Sequence, residues 1–97
     1  KICGGGAKSP LWKKMIANIL NIKVDTLASE EGPALGGAML AAVANGEYES
    51  VAQAAEAIVK VTDTVEPQAE LAALYEKRYQ TFREIYPKLK ETFQEMA

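Results

Sequence analysis

The residues whose types and spacing invite chemistry stand at the start of the sequence: Gly4-Gly5-Gly6, preceded by Lys1-Ile2-Cys3 and followed by Ala7-Lys8-Ser9-Pro10. An apolar stub, a glycine turn and a helix start in that order bring bare backbone close to whatever binds there. Glycine allows positive φ and, having no Cβ, lets a flat or charged ligand lie against the main chain. Ser9 is placed as N-cap and Pro10 at the first helical position, and the free N–H groups of a first helical turn favour phosphate. This is the outline of a nucleotide-contacting loop, although a tight turn is the commoner use of such a run.

Other chemistry is narrowed by what the chain holds. There is no histidine and one cysteine, Cys3, so neither a zinc site nor a Cys-His or Ser-His nucleophile can be assembled. A single cysteine excludes an internal disulfide and suits a reducing, cytoplasmic setting; Cys3 itself reads as a buried strand residue. Among the acids, Glu30 and Glu31 flank a helix start and read as a solvated face. Asp25 alternates with Ile22, Val24 and Leu27 and so points to solvent, while Asp63 sits in another strand-like stretch. No pair has the spacing of a general acid and base or of a magnesium site. Lys8 stands in the loop, but GGGAKS lacks the GxxxxGK[ST] spacing of a P-loop, which leaves it a solvated lysine. Trp12 could stack on a base, yet its helical spacing with Ile16 and Ile19 reads as core; Tyr75, Tyr79 and Tyr86 read as helix packing.

The elements that must position the loop follow from periodicity. Leu11, Trp12, Met15, Ile16, Ile19 and Leu20 recur at three- and four-residue spacing, predicting a helix over Pro10–Leu20 with Lys13, Lys14 and Asn18 on its outer side and Asn21 as its stop. Residues 22–27 alternate as a half-buried strand. Gly32-Pro33 leads into a helix over Ala34–Asn45 rich in small residues. Its adjacent Gly36 and Gly37 cost about 2 kcal/mol in propensity against alanine, which close backbone packing against a sheet, a helix or the glycine loop would offset. Asn45-Gly46 ends it. Ser50 caps a helix over Val51–Val59. Residues 60–65 alternate but run straight into Glu66-Pro67, which favours an extended loop over an edge strand. From Pro67 the rhythm is helical to the end, with a break expected at Tyr86 before Pro87.

The 97 residues make one domain's worth of material, 48% hydrophobic and 25% charged, with a net charge of −2 and a pI near 5.1. Nothing here asks for nucleic acid or an anionic membrane, and no apolar run is long enough to span a bilayer. The first residue is not Met, and Lys1-Ile2-Cys3 is too short for a proper strand, so the chain is read as a piece of a longer polypeptide.

Taken together, GGGAKSPLWKKMIANIL, a strand, then EEGPALGGAMLAAVANGEY resembles the C-terminal part of the FGGY carbohydrate kinases. The ending, YEKRYQTFREIYPKLKETF, fits the same family, and the two glycine motifs in order, about two dozen residues apart, are more specific than either alone. The resemblance covers nearly all of the chain and is strongest to the branch that phosphorylates D-xylulose. It implies an α/β fold: the C-terminal fragment of an actin-like ATPase (ribonuclease H-like) domain, helix-rich with a partial sheet, residues 1–97 forming part of the second kinase domain. It implies an enzyme that transfers the γ-phosphate of ATP, with Mg2+, to a sugar hydroxyl, here giving ADP and D-xylulose 5-phosphate. Gly4, Gly5, Gly6 and Ala7 would be loop backbone at the nucleoside and α-phosphate, with Ser9 beginning the helix beside the adenine. The Glu30–Gly37 run would back the pocket. The phosphate hairpin, the second phosphate loop, the catalytic Asp and the sugar-binding residues would lie upstream of Lys1, so this chain holds no catalytic residue or metal ligand, binds no cofactor tightly and is inert alone. Its partners would be the rest of the kinase, ATP or ADP and the sugar, with self-association through an uncovered core. Ribulose, gluconate or glycerol as the sugar, and a non-enzymatic helical module docking through Tyr75–Phe93, are the alternatives.

Overall fold

The computed structural model describes residues 1–97. Gly5–Lys8 form a single turn of 3-10 helix, followed by α1 (Pro10–Leu20), β1 (Val24–Leu27), α2 (Gly32–Ala44), α3 (Val51–Ile58), β2 (Val61–Val65), α4 (Ala69–Phe82) and α5 (Ile85–Met96). The local signals behind these elements are visible. Ser9 Oγ accepts the N–H of Trp12 and caps α1, while Asn21, in the left-handed region at φ 52°, closes it. Ser50 Oγ accepts from Gln53 N and starts α3. The small-residue helix starts at Gly32, two residues before the sequence places it, with Pro33 in its first turn.

Residues 60–65, expected as a loop, hold a strand. β2 runs antiparallel to β1, pairing Val24 with Val65 and Thr26 with Asp63, with a bulge between Thr26 and Leu27. Pro67 lies beyond the last paired residue, so its missing N–H removes nothing from the ladder. On its other edge β1 takes a parallel bridge from Ile2, whose N–H reaches Asp25 O at 2.9 Å. The stub before the glycines is thus held against the sheet by one bridge.

The helical break comes earlier than Tyr86. α4 ends at Phe82 and α5 begins at Ile85, which puts Pro87 in the first turn of α5, where a missing N–H costs nothing. The carbonyl its ring would strike in a continuous helix belongs to Arg83, and that is where the helix gives way.

Little of the apolar surface is covered. The only buried apolar residues are Ala7, Ala17, Val24, Ala54 and Ala72, and α5 buries none. The radius of gyration is 19.1 Å, against about 12–13 Å for a compact chain of this length. The accessible surface is 7487 Å², roughly 2,000 Å² more than such a mass ordinarily exposes. Accordingly Trp12, read as core, is 51% exposed, Tyr79 and Tyr86 face outward, and Cys3, read as buried, is exposed. The helical faces are laid out as the periodicity requires, but this chain does not supply what would pack on them.

Candidate functional site

The site is built around the junction of Ile2, the glycine turn and α1. Gly4 has φ 88° and ψ −179°, a conformation only glycine adopts without strain, and it turns the chain out of the bridge with β1. Ala7 N–H then bonds back to Gly4 O, and Ser9 N–H to Gly6 O, both at 3.1 Å. The N–H groups of Gly5 and Gly6 take part in no backbone or side-chain hydrogen bond of the chain. A Cβ built on Gly5 would meet nothing within 4 Å, whereas one on Gly6 would lie 2.8 Å from Cδ1 and Nε1 of Trp12. The loop therefore has one open, donor-bearing side at Gly5 and one side closed by the indole.

Behind the loop is a cleft of ≈ 200 Å³ whose walls include Gly4, Ala7, Lys13, Thr26 and Ser29. The first residue of α2 closes its far end: a Cβ on Gly32 would sit 3.2 Å from Cβ and Sγ of Cys3. The close approach expected of Gly36 and Gly37 is made by Gly32 instead, and both inner glycines face open space. Lys8 is exposed, as its solvated reading expected, and pairs with Glu30 at 3.1 Å. With both partners exposed, this pair is worth about 0–1 kcal/mol.

The sequence reading missed two residues. Lys13 and Asn18, expected on the solvent side of α1, are 9% and 6% exposed. Lys13 Nζ donates to Thr26 Oγ1 at 3.2 Å and to Asp63 Oδ2 at 3.4 Å. Asn18 Oδ1 accepts Gln68 N–H at 2.7 Å and so holds the start of α4. The side of α1 that meets the sheet and α4 is its polar and alanine side, with Ala17 fully buried there. Asp25 is half-buried on the opposite face of β1, where it accepts from Thr64 Oγ1 at 2.8 Å. The sequence holds no signal for these pairings beyond the polar residues themselves, because each joins separate elements.

Of the site residues read from sequence, Gly4, Gly5, Gly6, Ala7 and Ser9 come together as one continuous loop. Their side chains do structural work: Ala7 packs into the cleft and the Ser9 hydroxyl caps α1. What remains free for a ligand is backbone. An open glycine with unpaired N–H groups beside it fits a nucleotide phosphate or ribose. No three His, Cys, Asp or Glu side chains converge anywhere, so these residues do not fit a magnesium cage of their own.

The fold and the loop are those of a sugar-phosphorylating enzyme's nucleotide domain. Residues 1–45 match the FGGY family of carbohydrate kinases, C-terminal domain, and the chain belongs to that family. Its likeness is to xylulose kinases: it is 40% identical over 88 residues to xylulose kinase of Staphylococcus epidermidis, a match covering 91% of this chain and 18% of that protein. It is 39% identical over 90 residues to ribulokinase of Geobacillus thermodenitrificans, covering 87% of this chain and 16% of that one. The architecture matches the crystal structure of ligand-bound xylulose kinase from Lactobacillus acidophilus with a TM-score of 0.85 over 98% of this chain and 19% of the other, at 23% identity. The expected fold, a helix-rich C-terminal portion of an actin-like ATPase domain with a partial sheet, is the fold found. The chain spans about a fifth of the length of the relatives it matches.

Proposed function

We propose that this chain is the adenosine-side wall of the nucleotide site in an ATP-dependent sugar kinase whose substrate is D-xylulose. The observation that carries the reading is the loop itself: an open Gly5 flanked by unpaired N–H groups, in a chain 40% identical to xylulose kinase over 88 residues. In this reading the backbone of Gly4–Ala7 lies along the nucleoside and α-phosphate, and Ser9 fixes the loop by capping α1 rather than by touching the base. ATP supplies the phosphoryl group and Mg2+ its charge neutralisation. Phosphoryl transfer depends on positioning and on charge stabilisation, and Lys1–Ala97 offer neither a metal cage nor a carboxylate aimed into the cleft beside Gly5. The catalytic base, the metal ligands and the sugar contacts are therefore assigned to parts of the kinase outside these residues, and the chain alone is inert. A cytoplasmic location belongs to the same reading; no helix is long and apolar enough to cross a membrane.

The identity to ribulokinase is nearly as high, which keeps a second ketopentose, ribulose, beside xylulose; gluconate and glycerol stand further off. The test is ADP release by the enzyme carrying this chain, with each of the four sugars, for the unaltered loop and for Gly5→Val. Xylulose should be turned over with the highest kcat/KM, and Gly5→Val should raise the KM for ATP while leaving the KM for the sugar unchanged. Preference for another sugar overturns the substrate assignment. An unchanged KM for ATP overturns the placement of the nucleotide at the loop.

A further inference from the structure

A lysine on the expected solvent side of an amphipathic helix is ordinarily free to move. Lys13 is not: its side chain is 11% exposed, and its ammonium group bonds to both strands of the sheet, Thr26 Oγ1 on β1 and Asp63 Oδ2 on β2. Those two acceptors are cross-strand partners on the face of the sheet that meets α1. Burying the four methylenes and satisfying the charge at their end is a costly arrangement unless all of it is held in place.

The backbone of the same residue leads straight back to the glycines. Lys13 N–H bonds to Ser9 O, Ser9 N–H to Gly6 O, and Ala7 N–H to Gly4 O, each at 3.1 Å. The glycine loop is thus tied to the sheet by a relay that passes through one residue, its main chain facing the loop and its side chain facing the strands. The remaining ties are weaker: the Ile2 bridge, and the exposed Lys8–Glu30 pair.

We propose that Lys13 is a positioning residue for the glycine loop, fixing the distance and tilt of Gly4–Ser9 against β1 and β2 and thereby the affinity of the loop for nucleotide. The effect on nucleotide rests on the proposed function; the effect on the loop does not. Lys13 touches no ligand in this account. Its ammonium group is spent on Thr26 and Asp63, and it acts through the backbone of α1.

The test uses the full 97-residue chain, in which Trp12 is the one tryptophan and lies against Gly6, so that its emission reports the loop without a label. Lys13→Met keeps the apolar stem and removes the donors. It should speed hydrogen exchange at the Ala7 and Ser9 amides about tenfold, the scale of a lost charged hydrogen bond, and raise acrylamide quenching of Trp12, with α2 and α3 amides unchanged. Lys13→Arg should restore exchange to within about twofold of the original. Thr26→Val and Asp63→Asn, which each weaken one bond while leaving Lys13 in place, should each give a smaller change confined to the same amides, and they carry the test should Lys13→Met fail to fold. Uniform acceleration of all protected amides, or no change at Ala7 and Ser9, overturns the proposal. An ADP titration of the same samples separates the two readings. If ADP leaves Trp12 unaffected in every variant, the nucleotide assignment fails in this chain, and the positioning role still stands or falls on the exchange data.

Discussion

Gly5 and Gly6 are neighbours in one turn, yet adding a methyl group to each should have opposite effects. At Gly5 an added Cβ meets nothing within 4 Å, so Gly5→Ala only narrows the conformations of the unfolded chain and should stabilise by about 0.4–1 kcal/mol. At Gly6 the same atom would lie 2.8 Å from both Cδ1 and Nε1 of Trp12, well inside the roughly 3.5–4.0 Å of an ordinary contact. The indole must then swing outward by most of an ångström. It is 51% exposed and has room to do so, which puts the penalty toward the lower end of the about 1–3 kcal/mol that overpacking costs. The two variants should therefore differ by about 1.5–3 kcal/mol, which for a chain of this size separates their melting midpoints by very roughly 6–20 °C. Urea and thermal melts followed by circular dichroism measure this directly, and a Trp12→Ala background completes a double-mutant cycle. With the indole removed, Gly6→Ala should become neutral or stabilising. Equal stabilities for Gly5→Ala and Gly6→Ala, or a Gly6→Ala penalty that survives loss of the indole, would refute the reasoning.

Two further outcomes follow from contacts already described. Asn18→Leu keeps the volume at the α1–α4 contact but leaves the Gln68 N–H without its acceptor, and should cost about 1–3 kcal/mol in a urea melt; a smaller loss would mean that water replaces the amide. The outward face of α5, with Ile85, Leu89, Phe93 and Met96 all exposed, should drive self-association of the isolated chain. Sedimentation should show mass rising with concentration, and Leu89→Glu with Phe93→Glu should abolish the rise; a clean monomer at high concentration would count against it.

Boundaries of elements were legible in the sequence, and partners were not. Ser9 and Pro10, Asn21, and Ser50 mark helix ends by their own hydrogen bonds and dihedrals, and the structure uses them so. Periodicity grouped Leu11, Trp12, Ile19 and Leu20 on one face of α1 correctly, but nothing in the spacing states what covers a face; here the sheet and α4 take the side bearing Lys13, Ala17 and Asn18. The misreading of residues 60–65 has the same origin, because β2 is a strand only by pairing with β1 more than thirty residues earlier. The glycine loop could be read because its function lies in local backbone. The Lys13, Thr26 and Asp63 cluster could not, since its members come from three elements and each has an ordinary surface residue's identity.

The way α2 and α3 leave and rejoin the sheet has a consequence for how the molecule comes apart. Residues 28–60 depart after β1 and return before β2, and Ala28 N–H bonds to Lys60 O at 2.8 Å where the two ends meet. The excursion packs mainly on itself, α2 against α3, and reaches the glycine loop only through Gly32 at its base. It is a closed bight with a narrow neck, able to open and reclose as a cooperative unit while the two strands keep their register. Lengthening or shortening its far end, around Asn45–Glu49, would change the reach of the bight without transmitting strain to the neck. The glycine loop is thereby insulated from variation in a third of the chain that follows it.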